Sequence, residues 1–204
     1  MKTTYIDVIR HGEPAGGRVF RGHTDHPLTE LGIKQFKQRV QCLGYRWDQI
    51  VSSPLKRCRQ SAELLSNEQN LPLKIDEHFS EIHFGDWENM LVDKVMEQEN
   101  ISHMWNDPMN FCPPQGETTA ALLERVIKGW HQLLEDYQGQ RVLVVTHGGV
   151  IRMLAQYLLE INPLALTKLS LPHAAVFSFR IISSEYQGEQ QQWVSLEAMD
   201  GTEL

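Results

Sequence analysis

The chain has 204 residues, 41% of them hydrophobic and 22% charged, and 19 Lys and Arg against 26 Asp and Glu give a formal charge of −7. That length suits one large domain or two small ones and is enough for a packed core. The acidic balance argues against a nucleic-acid or anionic-membrane binder, but it does not bar a small anion held by a few local arginines.

In chain order, the β-branched run at 3–9 (TTYIDVI) reads as a buried strand. A Gly- and Pro-rich loop over 14–28 follows. Leu28, Leu31, Phe36, Val40 and Leu43 recur near helical spacing, so 28–43 is predicted as a helix with Thr29 as N-cap. Residues 47–53 read as a strand running into a helix over 53–66, with Pro54 in its first turn. A short strand is expected at 71–77. Residues 80–116 are mixed, and the prolines and glycine of 106–117 mark a loop. The longest helical pattern is 118–137, followed by an apolar strand at 141–146 and a helix at 148–159. Runs at 174–182 and 191–199 read as late strands, paired as an edge hairpin across the polar SSEYQGEQQ. Alternating strands and helices predict an α/β fold, a three-layer α/β/α sandwich with a mostly parallel sheet.

Cys42, Cys58 and Cys112 are odd in number and widely spaced, which supports neither a disulfide framework nor a zinc ribbon. The first residues do not read as a signal peptide. No apolar run approaches the roughly 18 residues of a membrane span. A cytoplasmic protein with reduced thiols is expected, with no nucleic-acid or membrane partner and with its oligomeric state open.

Two strands end in the same way: YIDVI is followed by Arg10-His11-Gly12-Glu13, and VLVVT by His147-Gly148-Gly149. In open α/β sheets, ligands bind outside the carboxyl ends of the strands, so these residues are expected in one crevice. Guanidinium forks and backbone N–H groups freed by glycine suit a phosphate. A third strand leads into SSPLKRCRQSA, where Arg57 sits about one turn into a helix and could reach the same place. Alone, each residue has a plainer reading: a packed histidine, a solvated arginine, a loop carboxylate at Glu81. His11, His23, His26 and His83 have no metal-ligand spacing.

Taken together, VIRHGEP, SSPLKRCRQSAE, EIHFGDWE and VVTHGGVIR, in that order, make the chain resemble the histidine phosphatase superfamily, the phosphoglycerate mutase-like group. The stretches VFRGHTDHPLTELGIKQ, FGDWE and PPQGET look most like its α-ribazole phosphatases of cobalamin nucleotide-loop assembly. The resemblance implies one domain over 1–204 with a lid or insert around 83–116, a small phosphorylated substrate, and neither metal nor cofactor. It makes His11 the nucleophile, has Arg10, Arg57 and His147 hold the phosphoryl oxygens, and makes Glu81 the proton donor. Gly12, Glu13, Gly22, His23 and Gly148 would line the substrate. Three positions depart from the family pattern: Pro14 for Thr or Ser, Gly17 for a phosphate-pocket Asn, and Asn89 for Gly. At Gly17 a neutral donor is lost, which His23 or a backbone N–H could replace. The implied reaction is phosphomonoester hydrolysis through a phosphohistidine, with α-ribazole 5′-phosphate or its cobamide-linked form as substrate. A broad sugar-phosphate phosphatase, a phosphoglycerate mutase and a non-catalytic phosphate-binding module remain as alternatives.

Overall fold

The structure is a computed structural model that describes residues 1–98, 101–186 and 189–201. Six strands form one mixed sheet: β1 (Lys2–Arg10), β2 (Gln49–Ser52), β3 (Leu73–Ile75), β4 (Arg141–Thr146), β5 (Val176–Tyr186) and β6 (Glu189–Asp200). Their order is β3-β2-β4-β1-β5-β6. The pairs β2–β3, β2–β4 and β1–β4 are parallel, while β5 runs antiparallel to β1 and β6 antiparallel to β5.

The alternation of side chains along each strand builds two cores. Ile6, Val8, Val51, Val142 and Val144 point to one face and meet α5 (Thr119–Asp136) and α6 (Gly148–Leu159) through Val126, Trp130, Ile151 and Leu154. Ile9, Ile50, Leu143 and Val145 point to the other and meet α1 (Glu30–Leu43) and α2 (Lys56–Gln69) through Phe36, Val40, Ala62 and Leu65. These are the expected three layers. Trp130 is the largest fully buried side chain, and truncating it to Ala costs about 3–5 kcal/mol. A third cluster gathers Phe20, Trp87, Val95, Ile101 and Phe111 beside the sheet. It includes two short helices inside the mixed stretch, α3 (Val92–Gln98) and α4 (Ser102–Asn106).

Thr29 caps α1 as expected, its hydroxyl accepting from Gly32 N–H at 3.0 Å, and Thr118 caps α5 in the same way. Pro54 is not in the first turn of α2, which begins only at Lys56. The chain is held there from outside: Ser53 Oγ accepts from Leu55 N–H, and the Asp25 carboxylate accepts from Lys56 N–H at 2.6 Å. The late strands are longer than expected and pair along their length as a hairpin, with β6 at the sheet edge. The residues that join them, 187–188, lie outside those described. Asp7 is a buried carboxylate, satisfied by Trp47 Nε1–H at 2.8 Å and by the Ser178 hydroxyl. No helix among the described residues is long and apolar enough to cross a membrane.

Candidate active site

β2, β4 and β1 are adjacent and parallel, so their carboxyl ends open onto one place. The residues that follow them are Ser53 and α2, His147 and α6, and His11. His11 N–H donates to Thr146 C=O at 2.9 Å, continuing the pairing one residue past the strand. The rings of His11 and His147 then lie edge to face with centroids 5.3 Å apart. Both are buried.

His11 Nδ1 is 2.7 Å from the carbonyl oxygen of its neighbour Gly12. A carbonyl only accepts, so Nδ1 carries the proton and the neutral ring leaves Nε2 with its lone pair free. Burial pushes the His11 pKa well below the ordinary imidazole range, and the Arg57 and Arg10 charges push it the same way. His147 is held neutral for the same reasons, burial first and then Arg57. Its Nε2 lies 2.7 Å from Ser53 Oγ, and the buried thiol of Cys58 packs against its ring. His173 has its ring centroid 5.8 Å from that of His11, and burial lowers its pKa to about 4. The residue after it, Ala174, sits at φ 59°, a left-handed conformation costly for a side chain with a Cβ. Its N–H donates to His11 C=O, and its own carbonyl accepts from buried Arg39.

Arg57 is buried at this floor, and Arg10 is partly buried beside it. Arg57 Nη2 donates to the Gly22 carbonyl at 2.7 Å and Nη1 to Thr24 C=O at 3.1 Å, so the 21–24 loop orients the guanidinium. That loop is fastened in turn by Glu88, whose carboxylate accepts from the N–H groups of His23, Thr24 and Phe84. Arg10 donates to Leu171 C=O, while its Nε is buried without a partner. Burial lowers the Arg10 pKa to about 10 even though Glu81 pulls it upward.

Glu81 faces the floor from the segment before the third cluster. Its carboxylate accepts from Gly149 N–H at 3.1 Å and from Ile82 N–H at 3.0 Å. A Cβ at 149 would fall 2.1 Å from Glu81 Oε1, so any larger residue there would displace the Glu81 carboxylate. Arg125 of α5 anchors the segment by donating to the carbonyls of His78, Ser80 and Glu81, and it is itself paired with Glu117. Beside Glu81 and Arg10 opens a cleft of about 280 Å³ with apolar walls that include Ile82, Phe84, Met104, Phe111, Leu122 and Met153. On the other side of Arg10 a second cleft is lined by Gly16, Gly17, Arg21 and His173.

The structure thus brings Arg10, His11, Arg57, Glu81, His147 and Gly148 to one centre. Gly12 packs its bare Cα on Gly32, where a Cβ would fall 2.0 Å from the carbonyl oxygen, and Gly22 packs likewise on Ile82 and Glu88. The Glu13 carboxylate accepts from the Thr29 hydroxyl at 2.7 Å, beside the N-terminus of α1. His23 donates its Nε2–H to Glu81 C=O at 3.0 Å, committing that proton to the backbone. Pro14 makes a bridge to Leu28, Gly17 takes a left-handed φ of 72°, and Asn89 takes φ 63°, which Asn tolerates better than most side chains. His26 accepts from Arg21, and His23 packs edge to face against His83; among the described residues no group of three His, Cys, Asp or Glu is placed to hold a metal ion. Sequence reasoning missed Ser53, Cys58, Glu88, Arg125, Arg152 and His173. Ser53 and Cys58 inside SSPLKRCRQSAE, Glu88 inside EIHFGDWE and Arg152 inside VVTHGGVIR lay in segments already singled out, whereas Arg125 and His173 did not.

The sequence model of the histidine phosphatase superfamily (branch 1) matches residues 6–196. The adenosylcobalamin/alpha-ribazole phosphatase of Escherichia coli strain K12 is 32% identical over 179 residues, covering 85% of this chain and 83% of that protein. A probable phosphoglycerate mutase of Escherichia fergusonii is 30% identical over 206 residues, covering 98% and 94%. Among solved structures, the alpha-ribazole phosphatase from Shigella flexneri superposes with a TM-score of 0.77 at 27% identity, covering 96% of this chain and 95% of that one.

Proposed function

The chain belongs to branch 1 of the histidine phosphatase superfamily, and on that footing we propose that it is a metal-independent phosphomonoesterase that removes the 5′-phosphate of α-ribazole phosphate or its cobamide-linked form. The observation that carries the chemistry is the buried His11 ring, fixed by Gly12 with Nε2 unprotonated and held neutral by burial and by the nearby Arg57 and Arg10 charges. His11 Nε2 attacks phosphorus in line, and the phosphorus–oxygen bond to the alcohol breaks as the phosphorus–nitrogen bond forms. Arg10, Arg57 and His147 hold the non-bridging oxygens, where the negative charge resides throughout. Glu81 gives its proton to the departing alkoxide. As a carboxylate it then takes a proton from water, whose oxygen attacks phosphorus and releases His11 and inorganic phosphate.

The named substrate rests on two supports. Relatives at about 30% identity carry that activity in their names. The cleft beside Glu81 is apolar, which suits the benzimidazole of ribazole better than a small carboxylate-bearing sugar acid. The similarity to a phosphoglycerate mutase favours the second reading, transfer between hydroxyls of a small phosphorylated acid. The segment over 83–116, with α3 and α4, acts in this reading as the lid over the leaving group.

Phosphate release in EDTA from α-ribazole 5′-phosphate, 3-phosphoglycerate, fructose bisphosphate and p-nitrophenyl phosphate tests the assignment. A kcat/KM for α-ribazole phosphate about 100-fold above the others, roughly 3 kcal/mol of transition-state preference, supports it. Flat rates across the panel would retain the phosphatase and remove the substrate.

A further inference from the structure

Arg152 lies one turn into α6, half-buried, on the wall of the apolar cleft next to Glu81. Two carbonyls fix it: Nε donates to Leu166 C=O and Nη2 to Leu169 C=O, both at 3.1 Å. Its third nitrogen, Nη1, makes no hydrogen bond among the described residues. It lies over Gly148, 3.3 Å from where a Cβ would stand, and the buried, unpartnered Nε of Arg10 lies 3.6 Å from the same point. Two guanidinium groups therefore meet over one bare Cα with donors to spare. Like charges so placed repel, and the arrangement is relieved when an oxygen accepts from both. The Glu81 carboxylate is near enough to pull the pKa of both guanidinium groups upward, but among the described residues no oxygen is hydrogen-bonded to Arg10 Nε or Arg152 Nη1.

We propose that Arg152, with Arg10 over Gly148, reads an oxygen of the leaving group next to the scissile ester, making it a specificity-determining residue for phosphomonoesters of polyhydroxy alcohols such as pentose phosphates. This rests on the phosphatase reading but not on ribazole as the substrate. The cleft sorts its ligand in two ways. The apolar walls accept a ring or chain, and the Arg152 donor demands a hydroxyl, ether or carboxylate oxygen close to phosphorus. A simple alkyl ester leaves that donor desolvated and unpaired. Sites built to bond a substrate oxygen reject the analogue lacking it more strongly than an apolar pocket rejects a missing methylene.

The test is a cycle of two substrates and two proteins. Glycerol 1-phosphate and propyl phosphate differ in the vicinal oxygens. Wild-type kcat/KM should favour the glycerol ester by at least about tenfold. In Arg152→Lys, and in Arg152→Met as a second variant that fills the same volume, the ratio should fall below about threefold, whatever the change costs both esters together. A ratio that survives both variants, or a wild type with no preference, overturns the inference. Equal losses on both esters also overturn it, since they assign Arg152 to the phosphoryl group or to holding up the 163–169 segment. Absence of turnover on every monoester by the wild type is the separate result that removes the phosphatase reading. A poor rate on α-ribazole phosphate with the ratio intact removes only that substrate.

Discussion

The floor of the site and the wall of its cleft are built by different physics. At the floor, each polar group is held by at least one directed bond: His11 by Gly12, Arg57 by Gly22 and Thr24, His147 by Ser53. The wall around Phe84, Met104 and Phe111 is held by apolar contact with Trp87, Ile101 and Val95. Directed bonds fix one geometry, as an in-line displacement needs. Dispersion and burial accept many shapes of similar volume. In the proposed reaction the floor therefore sets the chemistry, and the wall sets which alcohol leaves.

The sharpest way to break that division is His11→Ala. Turnover should fall on the order of 10⁵-fold, as for loss of other covalent nucleophiles, with circular dichroism and Tm near those of the wild type. Hydrolysis at a wild-type rate by a folded variant would remove the mechanism. Glu81→Gln comes next. Loss of a general acid is worth roughly 10² to 10⁴-fold, but the loss should be far smaller with p-nitrophenol as leaving group than with an alkyl alcohol. Equal losses on the two would argue that Glu81 acts through Gly149 and the backbone rather than on the proton.

Glu88→Gln probes the seam between the two regions. This carboxylate accepts from residues 23 and 24 on the floor side and from Phe84 on the wall side. Burial raises its pKa, but the bonds from Thr24, Phe84 and His23 outweigh that, and the net shift is downward. The neutral amide has one oxygen fewer and should cost about 1.5–3 kcal/mol in urea unfolding. With Arg57 less well placed, kcat should drop while KM for the alcohol part holds. A pure KM effect would place Glu88 with the wall. Met104→Ala is smaller still. About 1–3 kcal/mol of contact should disappear for an aryl-bearing substrate and leave small esters alone, and a uniform loss would return Met104 to the fold.

What could be read from the sequence divides along the same seam. Strands whose ends carry Arg10-His11 and His147 are legible because an apolar run and a charged tip are local features. The three-layer sandwich follows from the same alternation. Glu88 and Arg125 were not legible, since their partners lie up to 66 and 47 residues away, and a carboxylate in FGDWEN looks like any loop acid. His173 was missed for a related reason. It sits near His11 only because Ala174 turns left-handed and Arg39 of α1 holds that turn. The start of α2 was misread because Asp25, far back in the chain, takes the bond that a first-turn proline would leave unneeded.

The smallest expected effect is an absence, and it tests the floor most directly. Burial and the nearby Arg57 and Arg10 charges hold His11 and His147 neutral. In phosphate-free protein their ring proton signals should not shift between pH 8 and 5.5, across the range where an ordinary imidazole titrates. Stability carries the same information with a definite sign. Below about pH 6.5 the unfolded chain protonates these two rings and the folded protein does not, so acid favours unfolding. Each ring contributes a slope of about 1.36 kcal/mol per pH unit, a loss that continues down to its depressed folded pKa. Removing one ring, as in His147→Asn, should flatten the slope by one proton's worth. If both signals instead titrate near 6.5 and the stability curve is level, the two rings are solvated, the free Nε2 is not held for attack, and the contrast between a fixed floor and a tolerant wall disappears.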